Sequence, residues 1–532
     1  DIVKADWYTY GGQKAINEKY ILKLNDAIDN WAPNFKKLLE SHQTLDKMVK
    51  TDEGHYYTMP FVRDEASQCV YSGPVIRKDW LNDLGLDVPE TIDDWEVMLQ
   101  AFKDKKGASA PLAFLFPNLE DGFLIGAWNI TDDYYLDDAG KVQYGPAEAS
   151  YKDFLTKMNE WYQKGLLDAN FSSIEYKILN GYMLNGNTGA TFGLAGGGVG
   201  AWLDASKGKD GFDLIGAPYP VLHKGDRPQF GQREWEYVAA AGYCISDKCV
   251  NPELAVRFLD FGYSEKGKML YNFGIEGKSY ELDSAGKPQF TDFIFNNPDG
   301  VQVSTIFTEY SPASYSAPTV QSKTVQEAER TYDQQNEAVA NWAETDAEKH
   351  MLPPIALTDE ESSKITSTLT SIKTYKEEMA YSFIMGTKPL SEFDEYISQL
   401  HSMGLDEILS IYKSDEFENK IRSISDRKSI VGANISYNEK NSYIPLSNED
   451  YQLFLNTYFK DLKVNGDKRL VSGGIYNLNV TLTENSDSRD YNGEYYYNLP
   501  LSDELTETKK LLDLFLEKYK ADIEDYDTAL AD

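Results

Sequence analysis

Aromatic side chains constrain this chain more than its charge does. It carries 37 Tyr, 24 Phe and 9 Trp, 13% of its 532 residues, within a hydrophobic fraction of 41%. That much apolar material supports large packed cores and excludes a disordered acidic polymer, even with 86 Asp and Glu against 52 Lys and Arg. At roughly 100–200 residues per domain, the length implies two to four domains. A surplus of rings also suits surfaces that grip flat, partly apolar ligands such as sugars. The formal charge of -34 opposes nucleic-acid phosphates and anionic lipid, so nucleic acid is not an expected partner. No run of about 18 apolar residues occurs, so no transmembrane segment is expected. The opening Asp1-Ile2-Val3-Lys4-Ala5 reads as a strand already under way, which suggests a mature or cut N-terminus.

The first stretch alternates strand and helix signals. A strand is expected from His55 to Pro60, after the turn Asp52-Glu53-Gly54. Cys69-Val70-Tyr71 and Val75-Ile76-Arg77 add strand pieces, and a helix stopped by Gly85 follows. Thr91 is a candidate N-cap, with Asp93 and Asp94 in the first turn where the helix dipole favours them. Leu112-Ala113-Phe114-Leu115-Phe116 reads as a buried strand, and residues 134–144 as a hairpin. Tyr151, Phe154, Leu155, Met158 and Trp161 recur at helical spacing, a stripe that predicts core. Thr358 and Glu361 form a capping box before a long helix reaching about Phe383. After Lys413 the texture changes. A charged helix over 415–429, strands at 442–446, 470–472 and 476–482, and helices over 450–462 and 504–519 predict an α+β appendage, residues 425–532.

Several chemistries lack their residues. Cys69, Cys244 and Cys249 cannot form a disulfide framework, although a local Cys244–Cys249 bridge stays open. His42, His55, His223, His350 and His401 make no His-x-x-x-His pair, and none adjoins a Cys; no metal site or cofactor is expected. The glycine run 196–200 lacks the Lys-Ser/Thr of a P-loop and the dinucleotide spacing. It reads instead as close backbone approach facing a cleft, ahead of a helix with Trp202 in its first turn. Asp137-Asp138-Ala139-Gly140 is a turn without the ligands of an EF-hand loop. Glu234 and Glu236 bracket Trp235, a pairing open to a retaining glycosidase, although solvated charge is the commoner meaning of such pairs.

The aromatic constellation is more informative. Trp7, Tyr8 and Tyr10 precede Gly11-Gly12, Trp128 lies in a loop after a strand, Trp202 follows the glycine run and Trp235 begins a strand. Tryptophans at element ends, outside helical stripes, are expected to face clefts where sugar C–H faces stack on them.

Ordered blocks then resemble one family. Val75-Ile76-Arg77-Lys78-Asp79-Trp80-Leu81-Asn82-Asp83-Leu84-Gly85-Leu86 resembles a segment of the family 1 extracellular solute-binding proteins of bacterial ABC sugar importers, which are related to maltose-binding protein. Met158-Asn159-Glu160-Trp161-Tyr162 through Asp168, and Asn272-Phe273-Gly274-Ile275-Glu276-Gly277, match further blocks of its long lipoprotein-like members, in order over about residues 1–412. The family's lipoprotein signal and first strand–helix–strand region do not stand upstream of Asp1, and the end from Asp415 onward does not match its usual finish.

The resemblance implies an α/β, two-lobed, periplasmic-binding-protein-like (type II) fold with hinge crossovers. Residues 1–68 and 235–310 would form one lobe, and 70–232 and 320–412 the other. Ligand contacts would come from Trp7, Tyr8, Tyr10, Trp128, Trp202, Glu234, Trp235 and Tyr310. It further implies a non-enzymatic, monomeric, lipid-anchored cell-surface protein of a Gram-positive bacterium that captures a carbohydrate and passes it to ABC permease subunits. The rival expectations are a glycoside hydrolase using paired carboxylates and an interaction protein acting through its C-terminal appendage.

Overall fold

The computed structural model describes residues 1–5, 11–63, 65–209, 211–301, 303–314, 316–354, 357–414, 417, 420–421, 510 and 514, with strand segments at 433–437, 440–444, 476–483 and 494–501. Two compact units emerge: residues 1–36 with 48–421, and residues 37–47 with 422–532.

The larger unit opens with β1 (Ile2–Lys4) and β2 (Met59–Arg63). The chain then builds β3 (Ser72–Arg77), the hairpin β4 (Tyr134–Leu136) and β5 (Val142–Tyr144), β6 (Ala190–Leu194) and β7 (Leu214–Gly216). It returns through β8 (Tyr237–Ile245), the hairpin β9 (Tyr280–Leu282) and β10 (Pro288–Phe290), and β11 (Val320–Gln321). Two sheets result, one per lobe. The first has the order β1-β8-β2-β11, with β8 antiparallel to both neighbours and β11 parallel to β2. The second has the antiparallel order β6-β3-β7, and all six residues of the central β3 are buried. Three crossings connect the lobes, near Tyr71, near Glu234, and after Gln321.

Local signals set the ends of several helices. Helix Ile92–Lys106 starts in a capping box, in which Asp94 N donates to Thr91 Oγ1 (3.1 Å) and Thr91 N to Asp94 Oδ2 (2.9 Å), and ends at Gly107 with φ 69. Helix Asp359–Met385 repeats the device with Thr358 and Glu361. The aromatic stripe of helix Ala149–Gln163 is core, as its spacing predicts. Helix Asp333–Trp342 rests on the second sheet at two glycines: a Cβ at Gly216 would lie 2.3 Å from Ala338 Cβ, and one at Gly73 would lie 2.4 Å from the Trp342 ring. Trp342 Nε1 donates to Pro74 O at 3.0 Å, anchoring the helix to β3.

Four expectations are corrected. Leu112 makes only isolated bridges, to Leu167 and Ala190, and a 3-10 turn Phe116–Leu119 follows, so residues 112–116 form no strand. β2 begins at Met59 instead of His55. Val320 and Gln321 pair with β2, so they belong to the first sheet although 320–412 was expected in the second lobe. Val325 likewise packs in the first-lobe cluster with Phe273, Tyr280 and Phe307, which moves the third crossing to residues 329–332. Residues 37–47 group with 422–532 and not with the first lobe.

In the smaller unit, β12 (Ala433–Tyr437) pairs antiparallel with β13 (Lys440–Ile444), and β14 (Tyr476–Thr483) with β15 (Glu494–Leu501). The expected strands at 442–446 and 476–482 correspond to β13 and β14. The expected elements at 450–462 and 470–472 lie outside the described residues, as do all but single positions of those at 415–429 and 504–519.

Candidate ligand-binding cleft

The three crossings meet around a cavity of about 450 Å³. The first sheet supplies Lys4, Phe61, Arg63 and Gln321, and the second supplies Leu194 and the glycine run at Ala195, Gly196 and Gly197. Each crossing adds its own residues: Val70 and Tyr71, then Glu234, then Glu329 and Arg330.

Arg63, the last residue of β2, organises one wall. Its Nη2 lies 2.5 Å from Glu234 Oε2, and Nη1 donates to Trp235 O at 3.3 Å. The guanidinium sits over the Tyr71 and Phe61 rings, 5.5 and 5.7 Å from their centroids. Tyr71 OH donates to the other Glu234 oxygen, Oε1, at 2.5 Å. Burial, reinforced by that carboxylate, pushes the Tyr71 phenol far above its ordinary value, so it remains a donor across the physiological range.

Backbone and amide hydrogen bonds hold this wall in register. Glu234 N donates to Cys69 O (3.0 Å), and Gln232 Oε1 accepts from Tyr71 N (2.9 Å) and Ser72 N (3.2 Å). Tyr219 OH accepts from Gln232 N (2.8 Å) and donates to Ser72 O (3.2 Å). The third crossing is tied in by Gln68 Nε2 to Gln321 Oε1 (3.1 Å), Gln326 Nε2 to Gln68 O (2.9 Å) and Gln335 Nε2 to Ala195 O (2.8 Å). Side-chain amides thus bridge segments more than a hundred residues apart. Elsewhere on the lining, burial pushes the Glu329 carboxyl up to about 8, against the opposing pull of a Ser314 hydrogen bond and the Arg330 charge.

Of the residues expected to bind ligand, Glu234 lines this cavity. Trp235 does not: its Nε1 donates to Leu352 O at 3.3 Å. Trp202 is a correction, because it is only 1% exposed and its Nε1 donates to Asn180 Oδ1 at 2.8 Å. The close approach of Gly193 and Gly198 to its ring makes room for it inside the second lobe. Trp128 is partly buried and packs against that core, edge-on to Phe154 at 5.5 Å, and it does not line the cavity. Tyr310 packs edge-on to Phe293 at 5.1 Å, and its OH accepts from Lys278 Nζ at 2.6 Å, away from the cavity lining. Trp7, Tyr8 and Tyr10 lie outside the described residues. Tyr71, Phe61, Arg63, Glu329 and Arg330 are among the cavity residues that the sequence reading did not single out as ligand contacts. Gly196 and Gly197 do face the cleft, as their backbone-approach reading expects.

Among the described residues, no group of three or more His, Cys, Asp or Glu side chains could hold a metal ion. No described helix is long and apolar enough to cross a membrane.

Residues 1–269 match the bacterial extracellular solute-binding protein family. The chain belongs to that family. Among curated solute-binding relatives, the fructooligosaccharide ABC transporter substrate-binding protein FusA of Streptococcus pneumoniae is 26% identical over 294 residues, 50% of this chain and 52% of FusA. Lipoprotein LipO of Bacillus subtilis is 26% identical over 284 residues, 50% of this chain and 54% of LipO. These matches span about half the length of each relative. Among solved structures, alginate-binding protein AlgQ2 without calcium superposes with TM-score 0.66 at 24% identity, over 80% of this chain and 86% of that one. FusA in complex with kestose gives TM-score 0.62 at 20% identity, over 80% and 88%. The shared feature is the two-lobed solute-binding fold.

Proposed function

We propose that this solute-binding protein captures an oligosaccharide in the cavity between its lobes and delivers it to the permease subunits of an ABC importer. The observation that carries this reading is the wall in which the half-buried Tyr71 ring, beside the buried Phe61, adjoins the polar groups that Arg63 and Glu234 fix. A sugar presents both an apolar C–H face and hydroxyls, and such a wall matches both. About 450 Å³ falls within the range of small-molecule pockets. FusA, a family member, is described as binding fructooligosaccharide.

Capture needs no bond to be made or broken. Ligand held by both lobes favours the closed arrangement through its additional contacts there, and that arrangement is what a permease would recognise. Both oxygens of Glu234 are engaged, by Arg63 and by Tyr71, which suits a fixed binding group better than the free carboxylate of a glycosidase pair. The protein would act as a monomer at the cell surface, held there by a lipid anchor.

Isothermal titration against a panel of neutral and acidic oligosaccharides tests the reading. At least one ligand should give heat and raise the melting temperature, and Tyr71→Ala should weaken its binding about tenfold. Absence of heat and of any melting shift with every carbohydrate overturns it.

A further inference from the structure

Acids outnumber bases 86 to 52 along the chain, yet three of the five charged residues lining the cleft are the cations Lys4, Arg63 and Arg330. Arg63 is neutralised by Glu234. Arg330 differs. Its Nε donates to Gln326 O at 3.4 Å within its own turn, and its terminal nitrogens have no hydrogen-bond or ion-pair partner among the described residues. Burial lowers its pKa, although the nearby Glu327 and Glu329 side chains pull the other way without bonding to it.

Its neighbour Glu329 does not cancel that charge. With its carboxyl raised to about 8, Glu329 is mostly protonated at neutral pH and offers an O–H. Ser316 Oγ, on the same lining, is buried and unpartnered. Beside Arg330 the cleft therefore presents donors: guanidinium N–H groups and a carboxyl O–H. A neutral sugar hydroxyl both donates and accepts, whereas a carboxylate only accepts, through two oxygens whose spacing suits a guanidinium.

Building on the oligosaccharide reading, we propose that the ligand is acidic, a saccharide bearing an ionised carboxylate that Arg330 binds at the third crossing. Glu329, its chain neighbour, and Ser316 lie on the same lining. The other charged groups here are Glu327 and Lys323, which interact with Arg330 through charge, and Arg63, Glu234 and Lys4 on the same cavity lining. Deprotonating Glu329 would set a negative charge beside the bound anion, so affinity for an acidic ligand falls as pH rises through about 8.

The test is calorimetry on the full chain with oligouronate trimers (galacturonate, glucuronate and mannuronate) and the carboxyl-reduced counterpart of each, in which –COO⁻ has become –CH₂OH. At neutral pH at least one trimer should bind about tenfold or more tightly than its reduced counterpart, one charge-assisted contact's worth. Arg330→Gln should reduce that ratio to about threefold or less, and Arg330→Lys should restore part of it. Raising the pH from about 6.5 to about 9 should weaken trimer binding, and Glu329→Gln should remove this dependence. Circular dichroism melts check that each variant is folded. Preference for the reduced trimers, or an acidic preference untouched by Arg330→Gln and Arg330→Lys, overturns the proposal and leaves oligosaccharide capture standing. Binding of no carbohydrate, acidic or neutral, overturns both.

Discussion

Trp202 shows how a single residue's place depends on what its surroundings leave open. It ends a glycine run, a position where side chains often face a cleft, yet its indole fills the second-lobe core and donates to Asn180. Trp202→Ala should therefore lower unfolding free energy by about 3–5 kcal/mol, measured by denaturant melts, while folded protein keeps its ligand affinity. A large loss of affinity with unchanged stability would return Trp202 to the cleft. Glu329 carries a second prediction. Its folded carboxyl stands near 8 against an ordinary 4.5, so between those values the native state holds more protons than the unfolded state, and stability falls as pH rises. The melting-temperature advantage of Glu329→Gln over the native protein should widen from about pH 5 to about pH 8, and a constant gap would refute this. Glu234 was visible in the sequence, as half of an acidic pair and among the ligand contacts that the family resemblance implied. Arg63, Tyr71 and Arg330 were not, because their role exists only once three distant crossings meet, and no local spacing encodes that meeting.

At the scale of elements, start and stop chemistry was legible. Thr91 with Asp94, and Thr358 with Glu361, mark true helix starts. The helical aromatic stripe and the β4–β5 hairpin also lie where periodicity and turn residues put them. Residues 112–116 did not, because a short apolar run reads alike for a strand and for a buried turn. The seating of helix Asp333–Trp342 on Gly73 and Gly216 has no periodic signature either, since a glycine marks absent volume and not a contact. Gly216→Ala should drive a methyl group into Ala338 and lower stability by about 1–3 kcal/mol in thermal melts, with the helix displaced from the sheet. A neutral effect would mean the helix rides free of the sheet.

For the molecule as a whole, the family was readable from motif blocks in a fixed order. The third crossing was misplaced because a two-residue strand, Val320–Gln321, leaves almost no pattern to read. The charge of -34 acts at this scale too. Self-repulsion opposes compaction, so raising salt from about 0.05 to about 0.5 M should raise the melting temperature by a few degrees. A fall instead would mean that exposed ion pairs such as Arg227–Glu344, which salt screens, outweigh the net repulsion. The interleaved connectivity has a further effect during synthesis. β2 must wait for β8, which begins at Tyr237, and then for β11 at Val320, before its edges are covered. At about 5–20 residues per second, the nascent first lobe carries open strand edges for roughly ten seconds or more, an interval in which a holding chaperone or an export channel could engage it.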